Sequence, residues 1–242
     1  MIRLVRAELL KVRTTRLPLW LALVLLCLTA LIVSVTVPST STADLAGRGE
    51  QRSLAETAAV SVLIAAILGI VVAAGEYVHG TIEQTFLVTP VRSRVVAAKL
   101  AAAATVGALL AVFAELVTWL VAAAWISSKP VPFRLATHGV LTDYLGIVAA
   151  AALAGSIGVG IGAILRRQTA AIVLVLIWLL VAEPVLALTG LERFLPGHAL
   201  AAVAGASGSQ LLDFWPATIV AVVYVAVFAV AGAGAVRRAD VS

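Results

Sequence analysis

The sequence predicts an all-α membrane protein of six transmembrane helices, and three observations carry that expectation. Hydrophobic residues make up 62% of the 242-residue chain, charged residues only 12%, and the mean hydropathy is +1.12. Soluble domains are about half apolar and about a quarter charged, and a globule of this size cannot hide so much apolar surface from water. Next, six apolar stretches meet or approach the roughly 20 residues that a helix needs to cross about 30 Å of hydrocarbon. They are 17–37, 57–75, 97–126, 145–165, 168–189 and 216–236. Lipid offers backbone groups no partners, so each must be helical. The third observation is the distribution of basic residues. With the N-terminus in the cytoplasm, Arg3, Arg6, Lys11, Arg13, Arg16, Arg92, Arg94, Lys99, Arg166, Arg167, Arg237 and Arg238 lie inside. Only Arg48, Arg52, Lys129, Arg134 and Arg193 lie outside, which completes the chain's 17 Lys and Arg. Both termini are therefore expected in the cytoplasm. The net charge of +5 is scattered between apolar runs, without the aromatic-interleaved basic face of a nucleic-acid binder.

In chain order, residues 1–16 form the first unit. Ile2, Val5, Leu9 and Val12 recur at helical spacing, with Arg3, Arg6 and Arg13 flanking the stripe. That pattern predicts an amphipathic helix on the inner membrane surface. Residues 17–242 form the membrane domain. Its first apolar run is too long for the core of a signal peptide, so it reads as a span that is retained. Trp20 then falls near the inner interface, and Trp125 and Trp215 near the outer one. The lone Cys27 lies within that first run, which excludes a disulfide framework or a thiolate metal site within one chain.

Between spans two and three lies the segment 76–96. Thr81 and Gln84 have the spacing of a capping box, so a short helix is expected to begin at Thr81. Pro90 stops it, because the residue before a proline avoids helical geometry. Such a helix carries Ile82, Phe86 and Leu87, with Arg92 and Arg94 holding it on the cytoplasmic side. It either docks a soluble partner or packs against lipid head groups. The third span is longer than a crossing requires, so it tilts or its first turns lie inside the preceding segment.

Glu115 and Glu183 are the ionisable residues deepest in the apolar runs, each about two-thirds of the way outward. A carboxylate at such depth costs about 2.5–3.5 kcal/mol, so each should face protein or water. Either they line one outer cavity for polar parts of a substrate, or each bonds a neighbouring helix. Pro184 predicts a break in the fifth span beside Glu183. Leu195, Pro196, Gly197, His198 and Ala199, followed by 200–203, read as a short re-entrant or interfacial outer helix. His138 and His198 have no companions at ligand spacing. Gly158 and Gly162 form a small-xxx-small pair suited to close helix packing. The Gly158–Gly162 run has no Lys-Ser/Thr and is not a nucleotide loop.

The stretch Gly75-Glu76, Gly80-Thr81, Thr85-Phe86-Leu87, Thr89-Pro90, and Arg92 with Arg94, followed by Lys99, resembles the signature of type-2 ABC transporter permeases. Arg3, Glu8, Lys11 and Arg13 before Leu17-Pro18-Leu19-Trp20 are similar to the same family, as is Glu183-Pro184. Glu83 departs from it, since a basic or neutral polar residue is more usual there. The resemblance implies that the segment 81–89 is a coupling helix docking on an ATPase, through Glu76, Thr81, Ile82, Glu83, Phe86, Leu87, Thr89, Pro90, Arg92 and Arg94. It further implies an exporter of two permeases, identical or sister chains, with two ATPase subunits that carry the ATP and Mg; this chain would hold no cofactor and catalyse no reaction. Glu115, Glu183, Pro184, Leu195, Pro196 and His198 are the candidate pathway or gate. The expected cargo is an amphiphilic small molecule, drug or lipid, and the expected setting is a prokaryotic plasma membrane. The competing reading is a secondary transporter or an intramembrane enzyme using Glu115 and Glu183.

Overall fold

The protein is described here from a computed structural model covering residues 1–89, 91–133, 138–206 and 208–237, without the side chains of Arg48 and His138. Pro90, Arg134 and Arg238 lie outside the described residues. All regular structure among the described residues is helical. The chain runs through α1 (Ile2–Thr14), α2 (Leu17–Ser39), α3 (Thr42–Leu45), α4 (Arg48–Glu56), α5 (Val60–Val78), α6 (Ile82–Val88) and α7 (Arg92–Ile126). It continues with α8 (His138–Leu165), α9 (Gln168–Ile177), α10 (Glu183–Ala187), α11 (Pro196–Val203) and α12 (Phe214–Arg237). Among the described residues, six helices are long and apolar enough to cross a membrane: Leu17–Ser39, Gly49–Val78, Arg92–Ile126, Val140–Leu165, Gln168–Ala187 and Phe214–Arg237. They follow the six stretches read from the sequence.

The long third stretch resolves as one 35-residue helix that starts inside the segment before it. At 1.5 Å per residue it is about 52 Å long, well beyond the hydrocarbon thickness. At the centre stands α8, of whose apolar stretch 67% is buried, against 11% for the fifth span. It packs on α5, α7 and α12. Glycine makes this possible. A Cβ on Gly162 would come within 2.7 Å of the Ile70 carbonyl oxygen, and one on Gly107 within 2.6 Å of that of Ala151. Gly158 approaches Ala66 more closely still, so the expected small-residue face of α8 is the one laid against α5.

α1 and the last turn of α12 share one end of the bundle, called here the termini end. Arg92 donates to the Val236 carbonyl at 2.7 Å and Arg166 to that of Ala235 at 2.6 Å. Two guanidinium groups thus meet the negative end of α12. At the opposite end, Lys129 caps α2 through the carbonyls of Val37 (2.7 Å) and Thr40 (3.1 Å). Buried Gln51 bridges Leu45 to Pro132, at 2.8 Å each.

Three expectations need correction. The capping box does not form: Thr81 precedes α6 but its side chain makes no cap hydrogen bond, because its backbone is already helical and its hydroxyl cannot turn inward. Pro184 does not break the fifth span. The turn before it widens into a π-helix over Trp178–Ala182, and Pro184 is the second residue of α10, in the first turn, where a missing N–H is tolerated. On α1 the inward face is Val5, Glu8, Leu9 and Val12, while Ile2 is exposed, since the helix lies against α7.

Candidate functional site

The segment after α5 begins with a helix stop. The Thr81 N–H donates to the Glu76 carbonyl at 3.0 Å and the Gly80 N–H to that of Tyr77 at 3.4 Å, with Gly80 at φ +65°. A glycine in the left-handed region thereby turns the chain back over the last turn of α5. The His79 ring supports the same turn, with Nδ1 2.7 Å from the Gly75 carbonyl oxygen. α6 follows at once and ends at Val88. Thr89, at φ −132° and ψ 88°, has left the helical region, which a residue before proline avoids.

α6 lies across the termini end of the bundle with two unlike faces. Ile82 and Phe86 turn inward over Ala73, Val96, Val159 and Val236. The Arg92 guanidinium stands 5.0 Å over the Phe86 ring while gripping α12, so Phe86 is clamped between α6 and the rest of the bundle. Leu87 and Val88 face away, 85% and 84% exposed. Glu83 and Arg94 are exposed as well.

Beneath α6 four charges from three other helices interlock. Lys99 of α7, only 4% exposed, reaches Glu8 of α1 at 2.8 Å and Glu76 of α5 at 2.9 Å. Lys11 of α1 reaches Glu76 at 2.6 Å and Glu8 at 2.9 Å. The knot is closed: each cation meets both anions, and the four charges sum to zero. Lys99 also donates to the Val72 carbonyl at 3.2 Å, and Lys11 to the Thr85 hydroxyl of α6 at 3.3 Å. Partial burial disfavours the charge on Lys11, but hydrogen bonds to Glu76 and Glu8 outweigh it and hold its pKa above the ordinary 10.5. Four buried or half-buried charges pay for their desolvation only while all are paired.

The residues expected at a pathway or gate divide into two places. Glu183, 4% exposed, accepts from the Trp178 indole at 2.8 Å and from the Gly197 N–H at 2.7 Å, with His198 Nδ1 3.3 Å away. Its carboxylate therefore occupies the N-terminus of α11, where free N–H groups favour an anion. Leu195 and Pro196 are the first residues of that cap, so Glu183, Pro184, Leu195, Pro196 and His198 do come together. α11 packs on α12 and α8 through Ala199, Ala202 and Val203. Glu115 is not among them. It lies on α7 within electrostatic reach of Tyr144 of α8.

Sequence reasoning found Glu76 and the residues of α6 by resemblance. Glu8, Lys11 and Lys99 were seen only as parts of a pattern, and the ion pairs that join them went unread. The one available signal was Glu8 within the apolar face of an amphipathic helix. A second pair was missed outright: Arg52 holds Asp143 with two hydrogen bonds of 2.7 and 2.8 Å at the opposite end. No family model matches the chain, and no curated protein matches it in sequence.

Proposed function

We propose that this chain is the transmembrane subunit of an ATP-driven ABC exporter, with α6 as the element that receives force from a separate ATPase. The observation that carries the reading is the way α6 is mounted. A short helix with an exposed apolar edge at Leu87 and Val88 is fastened by Lys11 and Arg92 to α1, α5, α7 and α12 together. A push on that edge is delivered to several spans at once instead of being absorbed by a loop. The residues forming the mount are those that carry the resemblance to type-2 permeases. Two permeases and two ATPase subunits form the working unit, and the ATPases hold the ATP and Mg.

In this mechanism nucleotide binding draws the ATPases together and drives α6 towards the bundle. The ionic knot makes α1, α5 and α7 follow as one body. The spans rock, and α11, tied to the fifth span through Glu183, opens as a re-entrant gate. The cargo is an amphiphilic small molecule, drug or lipid. The test is co-purification in detergent with an ABC ATPase encoded beside the chain. Leu87→Asp should lose the ATPase while the protein still inserts and melts normally. Retention of the ATPase by Leu87→Asp and Val88→Asp would remove α6 as the docking element.

A further inference from the structure

A second set of polar groups lies inside the bundle, away from the knot. The hydroxyls of Thr29, Ser61, Thr118 and Tyr144 and the Oε1 of Glu115 are buried, and none has a hydrogen-bond partner among the described residues. Buried polar groups nearly always have one, so five orphans on four helices require a reason.

Neighbouring contacts fix their heights. α2 and α7 run in the same direction, with Trp125 bonded to Ser34 and Lys129 to Val37, so Thr29 stands level with residue 120. α8 runs against α7, with Gly107 at Ala151 and Ala103 at Gly155, which sets Tyr144 level with Ala114. α5 also runs against α7, with Ala65 at Gly107, which sets Ser61 level with Ala111. On the scale of α7 all five fall between residues 111 and 120, about 14 Å of helix. The faces agree too. Leu25, Thr29 and Val33 form one fully buried stripe of α2, and Ala111, Glu115, Thr118 and Ala122 recur at helical spacing on α7. Tyr144 packs both on the central apolar cluster around Leu25, Ile64 and Ile147 and on the cluster around Val33, Leu54 and Val140. The five groups therefore make a polar seam between two apolar layers.

An open cavity lies beside α8 at this level. The residue before Tyr144 is Asp143, which with Arg52 borders that cavity, of about 600 Å³, between α8 and the segment from α11 to α12.

We propose that Thr29, Ser61, Glu115, Thr118 and Tyr144 form a water-binding site inside the bundle that holds an exchangeable proton on Glu115. Each hydroxyl both donates and accepts, and a buried water needs two to four such partners. The carboxyl oxygen needs a donor, which a water or the bound proton supplies. A hydronium ion from bulk water, entering past Asp143 and Tyr144, delivers that proton: one of its O–H bonds breaks, leaving water, as the carboxyl O–H bond forms. Tyr144 and Asp143 of α8 and Arg52 and Glu56 of α4 are the ionisable neighbours at this level. Cys27 of α2 is exposed, and Tyr224 of α12 bonds the Phe194 carbonyl at 3.0 Å. Glu8, Lys11, Glu76 and Lys99, on α1, α5 and α7, are engaged with one another at the termini end. The site stands independently of any ATPase partner.

Infrared difference spectroscopy of the full chain in lipid nanodiscs tests it, with Glu115→Gln and Thr118→Val beside the wild type. The wild type should show the C=O band of a protonated carboxyl that shifts on transfer to heavy water and disappears in Glu115→Gln. Thr118→Val should shift that band and lower the melting temperature, because it removes a partner of the bound water. Two results would overturn the proposal. One is a wild type without that band from mildly acidic to mildly alkaline pH. The other is a Thr118→Val chain that melts higher with its band unmoved, as expected if the hydroxyl were simply unsatisfied in a dry core.

Discussion

Lys99 illustrates how much rests on a single side chain at the termini end. Replacing it with Met leaves Glu8 and Glu76 facing each other in a buried site with only half-exposed Lys11 between them. Breaking a buried pair in this way costs about 3–5 kcal/mol, so Lys99→Met should melt far below the wild type in detergent. Lys11→Met should cost less, since solvent already screens that ammonium. The pH dependence follows from its raised pKa. A cation whose pKa rises on folding contributes stability that is complete below its unfolded value and is lost as pH climbs through the folded one. α1 should therefore stay attached through neutral pH and loosen only above about 10.5, read as trypsin cleavage after Arg13 and Arg16. At the other site, Glu183→Ala strands the N–H groups of Gly197 and Trp178 and should cost about 1–3 kcal/mol, whereas Glu183→Gln keeps an acceptor and should cost less.

At the scale of elements, the π turn in the fifth span and the glycine stop after α5 explain what periodicity left unread. Both ends of α6 were legible, the start from the Thr81 and Gln84 spacing, although the capping box it suggested does not form, and the end from Pro90. Its rotation was not. Ile82, Phe86 and Leu87 are all apolar, and nothing local says which of them Arg92 will cover. The cap at Thr81 failed for a related reason: the Schellman turn at Gly80 already fixes the backbone entering α6. Gly80→Ala, forced into the left-handed region, should destabilise the turn by about 1–2 kcal/mol. Thermal melting checks that value, and Gly80→Asn should restore part of the loss.

On the scale of the whole molecule, hydropathy and length revealed six spans because the bilayer imposes both on any crossing helix. Which span sits in the middle was harder to read. Every span is apolar, so the central place of α8 shows only in its small residues, and of these the Gly158 and Gly162 pair was legible. Long-range ion pairs stayed hidden, since Glu8 and Lys99 are 91 residues apart. The same architecture accounts for the proposed coupling. α6 contacts the bundle through Phe86 and Ile82, leaving Leu87 and Val88 for a partner. The most direct measurement places a photo-crosslinking amino acid at position 86, 87 or 88 in membranes that contain the ATPase. Adducts with the ATPase at 87 and 88, and none at 86, are the predicted result. Equal labelling at all three positions, or an adduct at 86 alone, would contradict the orientation of α6 and the coupling role built on it.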